Sequence, residues 1–287
     1  MACVDILNDE FSSELFIFMH IDKLLDQINQ QISAQCNTAA LTISKSWAQG
    51  RTVFGGISAA LVYQAIRRKV SDDRVLRSLT TNFVGPIAVG TPLTIEVEVL
   101  REGKNVSQVI AKAIQNDKVC VMTQAAFGVA RTSKISVTNL DFHNMPKPQK
   151  AKYIPQIPKL VPKFLQHIDL NVIEGGMPFS GNSISHGQGW LRFTKPPKQV
   201  TDAHLIALID GWPAPVMQMM SWPAPVSSMS WNVEFIHPHK PVEPTDWFAF
   251  QVKTRQAADG YGHTEANIWD ADGELVAISR QTVAIFD

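Results

Sequence analysis

Ser78-Leu-Thr-Thr-Asn-Phe83-Val-Gly-Pro86 and Met229-Ser-Trp-Asn-Val-Glu-Phe235-Ile-His-Pro238 are the stretches from which the fold is read. Each has a strand-like pattern, reaches a Phe and breaks at a Pro three residues later. Phe83 and Pro86 precede Phe235 and Pro238 by 152 residues. Outward from the first stretch, Leu93, Ile95, Val97 and Val99 alternate with polar residues, the period of a half-buried strand. Strand patterns follow at 107–115 and 119–127, joined by a turn at Asn116-Asp117-Lys118. Outward from the second, strand patterns run over 247–254, 262–269 and 275–285, with a turn at Asp270-Ala-Asp-Gly273. Arg101 and Ile114 lie 154 residues before Arg255 and Ile268, so the chain reads as a tandem duplication.

A helix pattern precedes each strand set. Gly55-Gly56 leads into Ile57–Lys69, apolar at helical spacing with a basic last turn that suits the helix dipole. Asp202–Asp210 is strongly apolar and then meets Pro213 and Pro215, and the Met-rich run to Met220 either continues or kinks it. A mostly apolar helix followed by a four-stranded antiparallel meander describes a sheet wrapped around a buried helix. The expected class is therefore α+β, a tandem (double) hotdog. Five prolines between Pro146 and Pro162 remove amide donors and restrict their neighbours, which makes that stretch a linker. The expected organisation is an N-terminal arm at 1–35, a first hotdog domain at 36–132, a Pro-rich linker at 133–165 and a second hotdog domain at 166–287. Residues 21–32 within the arm have helical apolar spacing.

Composition narrows the function. With 26 basic and 26 acidic residues among 287, the chain lacks the surplus of Lys and Arg that nucleic acid requires. Three cysteines without CxxC spacing point to a reducing compartment. The acidic N-terminus lacks the charge of a secretory signal, and the apolar run at 15–19 is too short to span a bilayer. The expectation is a cytoplasmic protein without membrane insertion. His237-Pro-His239 lacks a third ligand, and Asp270-Ala-Asp272 reads as a hairpin turn, so no metal and no cofactor is expected. A Gly-x-Ser-x-Gly elbow is missing, which lowers the case for a serine nucleophile. Arg67-Arg68-Lys69 reads as a solvated helix end.

From about residue 45 to the C-terminus, linker excluded, the sequence resembles the type II acyl-CoA thioesterases. In the first half the resemblance rests on Arg51-Thr-Val-Phe-Gly-Gly56, on Leu100–Ser107 and on Ala113–Asn116. In the second it rests on Trp190-Leu-Arg192, the helix carrying Asp210, Ser228 with Phe235, and Val276-Ala277 through Gln281. It implies hydrolysis of fatty-acyl-CoA thioesters by a water activated by Asp210 with Ser228 and Gln281. The chain departs from the family at Ser228, where Thr is usual, and at Ser230-Trp231, where an Asp-His pair is usual. It also has a stiff Gly211–Pro215 after Asp210. The resemblance makes acyl-CoA the expected partner, and higher assembly of identical chains is common in such a family.

A raised carboxylate pKa suits Asp210 as a base toward water, with Ser228 and Gln281 orienting that water. Gly55 and Gly56 are candidates for substrate binding, their amides polarising the carbonyl. Met217 and Met220 are candidates for lining an acyl channel. The repeat spacing places Asp210 near Ile57 or Ser58 of the first helix, so only one of two duplicated sites is expected to carry the acid. Each residue also has a structural reading: Asp210 ends a helix, Ser228 starts a strand, Gln281 faces solvent. Two other functions compete. One is an acyl-CoA-binding protein without catalysis. The other is a hydratase or dehydratase, disfavoured because His204 lies six residues before Asp210 and off its helix face.

Overall fold

The computed structural model describes residues 18–150 and 161–287. Residues 1–17 of the expected arm, and Pro155 and Pro158 of the linker, lie outside that range. The first half contributes α1 (Ile21–Gln31), β1 (Thr38–Thr42), β2 (Ala48–Gln49), β3 (Thr52–Val53), α2 (Gly55–Arg67), β4 (Arg74–Phe83), β5 (Pro92–Glu102), β6 (Val106–Gln115) and β7 (Lys118–Val129). The second contributes β8 (Ile168–Glu174), β9 (His186–Phe193), α3 (Asp202–Ile209), β10 (Val226–Phe235), β11 (Phe248–Ala258), β12 (Tyr261–Trp269) and β13 (Leu275–Ile285).

Eleven strands form one antiparallel sheet in the order β1-β5-β6-β7-β4-β10-β13-β12-β11-β9-β8, with β2 and β3 as a separate ribbon. The halves meet at β4 and β10, so neither leaves an open inner edge. There Thr80 stands opposite Asn232, 152 residues later, while Leu79 faces Val233 and Thr81 faces Trp231. That is the register of a pseudo-twofold axis through the Thr80–Asn232 pair, the geometric image of the repeat. The axis exchanges Leu79 with Trp231.

The two half-sheets curve over α2 and α3, which pack against each other. Ile57, Leu61 and Ile66 of α2 share one core with Leu205, Leu208 and Ile209 of α3 and with Leu79, Trp231 and Val233 of the seam. Approach of the helices is close at Gly56, where a Cβ would fall 2.8 Å from the Ala207 carbonyl oxygen and 2.5 Å from the Phe54 ring. α1 follows the apolar spacing at 21–32: Ile21, Leu24, Leu25 and Ile28 are buried in the same core. His204 Nε2 meets Asp22 Oδ1 at 2.9 Å, joining α3 to α1. Tyr63 donates to Asp202 Oδ2 at 2.9 Å, joining α2 to α3.

Residues 141–145 of the linker lie against the outer face of the second half. Trp190, Trp247, Trp269 and Leu275 form a smaller apolar cluster there, capped by Met145. The Trp269 indole N–H donates to the Asp141 carbonyl at 3.0 Å and pins this segment. Among the described residues, no helix is long and apolar enough to cross a membrane.

Candidate active site

α3 stops at Ile209 because Pro213 and Pro215 cannot continue it. Asp210 is its C-cap, with φ −76° and ψ −7°. This agrees with the helix pattern read over 202–210, and corrects the repeat spacing that equated Asp210 with Ile57 or Ser58 at the start of the first helix. The helices are antiparallel neighbours, and Asp210 meets the start of the other one. A Cβ on Gly55 would lie 2.9 Å from Asp210 Oδ2, and the Gly56 amide acts on the carboxylate as a hydrogen-bond donor. α2 has neither a side-chain N-cap nor an acid in its first turn, so Asp210 supplies the anion from the other half.

Gln281 Nε2 donates to Asp210 Oδ1 at 2.8 Å, from β13. Burial pushes the Asp210 pKa from the ordinary 3.8 to about 7, although Gln281 and the Gly56 amide both favour the ionised form. Desolvation outweighs two donors, which leaves a carboxylate that changes charge near neutrality.

The strand register places the remaining residues. Thr123, Thr81, Trp231, Gln281 and Thr264 stand opposite one another on β7, β4, β10, β13 and β12. Cross-strand neighbours share a face, and buried Trp231 identifies it as the core face. Ser228 pairs with Val283 and so lies on that face too, diagonal to Gln281. Its hydroxyl has no partner among the described residues. Trp231, in place of a His, buries its ring beside Gln281 and donates to Ser279 Oγ at 2.8 Å. Ser230 points to the opposite face, into a shallow cleft of about 360 Å³ that Arg255, Glu265 and Arg280 also line. That cleft is across the sheet from Asp210.

The structure therefore brings together Asp210, Gln281 and the Gly55-Gly56 turn, with Ser228 one diagonal step away. Met217 lies in the 3-10 turn Pro215–Gln218 that follows α3, and Met220 is buried just beyond it. Their carbonyls accept from the Phe179 and Gly181 amides and hold that loop. The expected free amide at Gly56 is directed at Asp210 rather than left for a ligand. Sequence reasoning missed that contact and the Phe83 ring, 3.2 Å from a Cβ on Gly55. The double glycine was the available signal.

The pseudo-symmetric position is built differently. Tyr63 lies eight residues after the start of α2, as Asp210 does after the start of α3. The axis equates the row Trp231–Gln281–Thr264–Thr254 with Leu79–Ala125–Val109–Val99, which is wholly apolar. Only one of the two pseudo-symmetric positions brings together an acid from one half, a helix-start amide from the other and the polar row. His204 is engaged by Thr201 and Asp22 and is not paired with Asp210. Among the described residues, no group of three or more His, Cys, Asp or Glu side chains is placed to hold a metal ion.

Comparison with known proteins gives a consistent result. Residues 43–128 match the model of the acyl-CoA thioesterase N-terminal domain, and residues 142–285 that of the C-terminal domain. Acyl-CoA thioesterase 2 of Haemophilus influenzae is 23% identical over 262 residues, covering 80% of this chain and 86% of that protein. A hot dog fold protein of unknown function from Alicyclobacillus acidocaldarius superposes with a TM-score of 0.77 at 22% identity, covering 94% of this chain and 99% of the other. An acyl-CoA thioesterase II from Mycobacterium marinum gives 0.70 at 18% identity, covering 93% and 96%.

Proposed function

Since the chain belongs to the acyl-CoA thioesterase family and carries that family's N- and C-terminal domains, we propose that it hydrolyses fatty-acyl-CoA thioesters to free acid and coenzyme A. The reaction is direct attack by a water on the thioester carbonyl. The observation that carries this reading is the Gln281–Asp210 hydrogen bond of 2.8 Å, made beside the N-terminus of α2.

Asp210 is the general base. With a pKa of about 7 it is half ionised near neutral pH and basic enough to take a proton from water as the oxygen attacks. Gln281 commits its amide donor to Oδ1, which leaves its own oxygen to accept from the water and fix its orientation. Ser228 offers the second hydroxyl contact on the same face. The oxyanion of the tetrahedral intermediate falls to the first-turn amides of α2 other than Gly56, those of Gly55 and Ile57, which have no intrahelical acceptor. Collapse expels the thiolate of coenzyme A. A thiol pKa of about 8.5 makes that departure easy without a strong acid, and the protonated Asp210 returns its proton to the thiolate.

The test is thiol release from acyl-CoAs of increasing chain length by wild type and Asp210→Asn. The expected result is turnover on part of the series and a loss of a hundredfold or more in the variant. Binding of the whole series without thiol release by wild type would instead select an acyl-CoA-binding protein.

A further inference from the structure

α2 runs for 13 residues over its half of the sheet, whereas α3 stops after 8. The space that a longer α3 would cover is taken by a side chain. Trp212 is half-buried against the core, and its ring stacks on Phe250 of β11 with centroids 5.3 Å apart and planes 16° apart. The indole lies along β9 over Gly187 and Gly189, two residues apart and therefore on one face. A Cβ at Gly189 would fall 2.8 Å from indole Cη2, and one at Gly187 3.3 Å from indole Nε1. Gly189 is also closed by the Asn171 carbonyl, 2.2 Å from that Cβ, but at Gly187 the indole is the nearest neighbour. These glycines make a cradle in the sheet for one large ring, two residues beyond Asp210.

That placement sets the indole against β9 and β11, two to three strands along the sheet from β13, whose Gln281 holds the carboxylate. The wall is Trp212 on Phe250, aromatic and without a charge, which suits an alkyl chain better than the amides of pantetheine. We propose that Trp212 is the specificity-determining residue for acyl-chain length, ending the acyl pocket so that short acyl groups are taken in preference to long ones. This rests on the reading of Asp210 as the hydrolytic base.

Trp212→Ala opens the cradle, and Trp212→Phe keeps the stack on Phe250 while withdrawing the outer ring. The experiment measures kcat/KM on butyryl-CoA and dodecanoyl-CoA for wild type and both variants. Binding of the non-hydrolysable butyl and dodecyl thioethers of coenzyme A is measured by calorimetry on the same proteins. One methylene in an apolar pocket changes kcat/KM by roughly 10- to 200-fold. The expected result is a dodecanoyl-to-butyryl ratio that rises at least tenfold in whichever variants fold, in turnover and in binding alike. A smaller rise overturns the assignment. If wild type turns over neither ester, hydrolysis fails as a reading, and the ratio of thioether affinities still decides Trp212 by the same tenfold criterion. Absence of binding by both thioethers overturns the assignment as well.

Discussion

Replacing Asp210 by Asn should make the protein more stable, and only above a defined pH. The carboxylate has its pKa raised from 3.8 to about 7 by burial. The folded chain therefore holds this proton more tightly than the unfolded chain, so between about pH 4 and pH 7 stability falls as pH rises. A rise of roughly 3 units corresponds to about 4 kcal/mol, fully expressed above pH 7 and absent below pH 4. Residual solvent access at Asp210 makes that an upper figure. Asn keeps one acceptor oxygen, can offer its NH2 to a turned Gln281 oxygen, and bears no charge, so it avoids this penalty. Urea unfolding of both proteins from pH 4.5 to pH 8.5 reads the difference. The gap should be small at the acid end, open through pH 5–7 and reach roughly 1–4 kcal/mol in favour of Asn. A gap independent of pH, or an Asn variant weaker throughout, would refute the reasoning. Asp210 would then be an ordinary ionised cap for α2.

Three further outcomes follow from the same geometry. Gln281→Leu removes a donor that favours the ionised carboxylate, so kcat should fall about 10- to 100-fold and the apparent pKa of kcat/KM should move upward; an unmoved pH profile would detach Gln281 from Asp210. Gly56→Ala puts a methyl into the Ala207 carbonyl and the Phe54 ring, and melting should show a loss of about 1–3 kcal/mol together with reduced activity. Ser228→Ala should lower kcat about tenfold and Ser228→Thr should retain activity, as steady-state thiol release would report.

Much of the fold was legible because it rests on local periodicity and on repetition. Leu93, Ile95, Val97 and Val99 announce β5, and the 152-residue spacing of Phe83 and Phe235 reappears as the Thr80–Asn232 pair at the seam. The edge strands β1 and β8, and β9 beside β8, escaped notice. β9 carries Gly187 and Gly189, which weaken any strand pattern, and they fit only once Trp212 and the Asn171 carbonyl are in place. Asp210 and Gln281 were legible as residues, by resemblance, but their contact spans 71 positions in sequence and no local signal encodes it. The end of α3 at Asp210 was legible in the apolar run 202–210 before Pro213 and Pro215, but the repeat offset equated Asp210 with the start of the first helix. The repeat offset counts residues, whereas the Gly211–Pro215 break shortens this helix and lets Asp210 reach across to α2 from its end.

In the proposed mechanism Asp210 activates a water and does not itself attack the thioester. A single turnover in H₂¹⁸O with enzyme in excess over acyl-CoA tests it most directly, with mass spectrometry of both the released acid and the protein. Direct attack predicts one ¹⁸O in the acid from the first turnover and none in Asp210. Unlabelled acid with the label in Asp210, or no acid formed at all, would contradict the account.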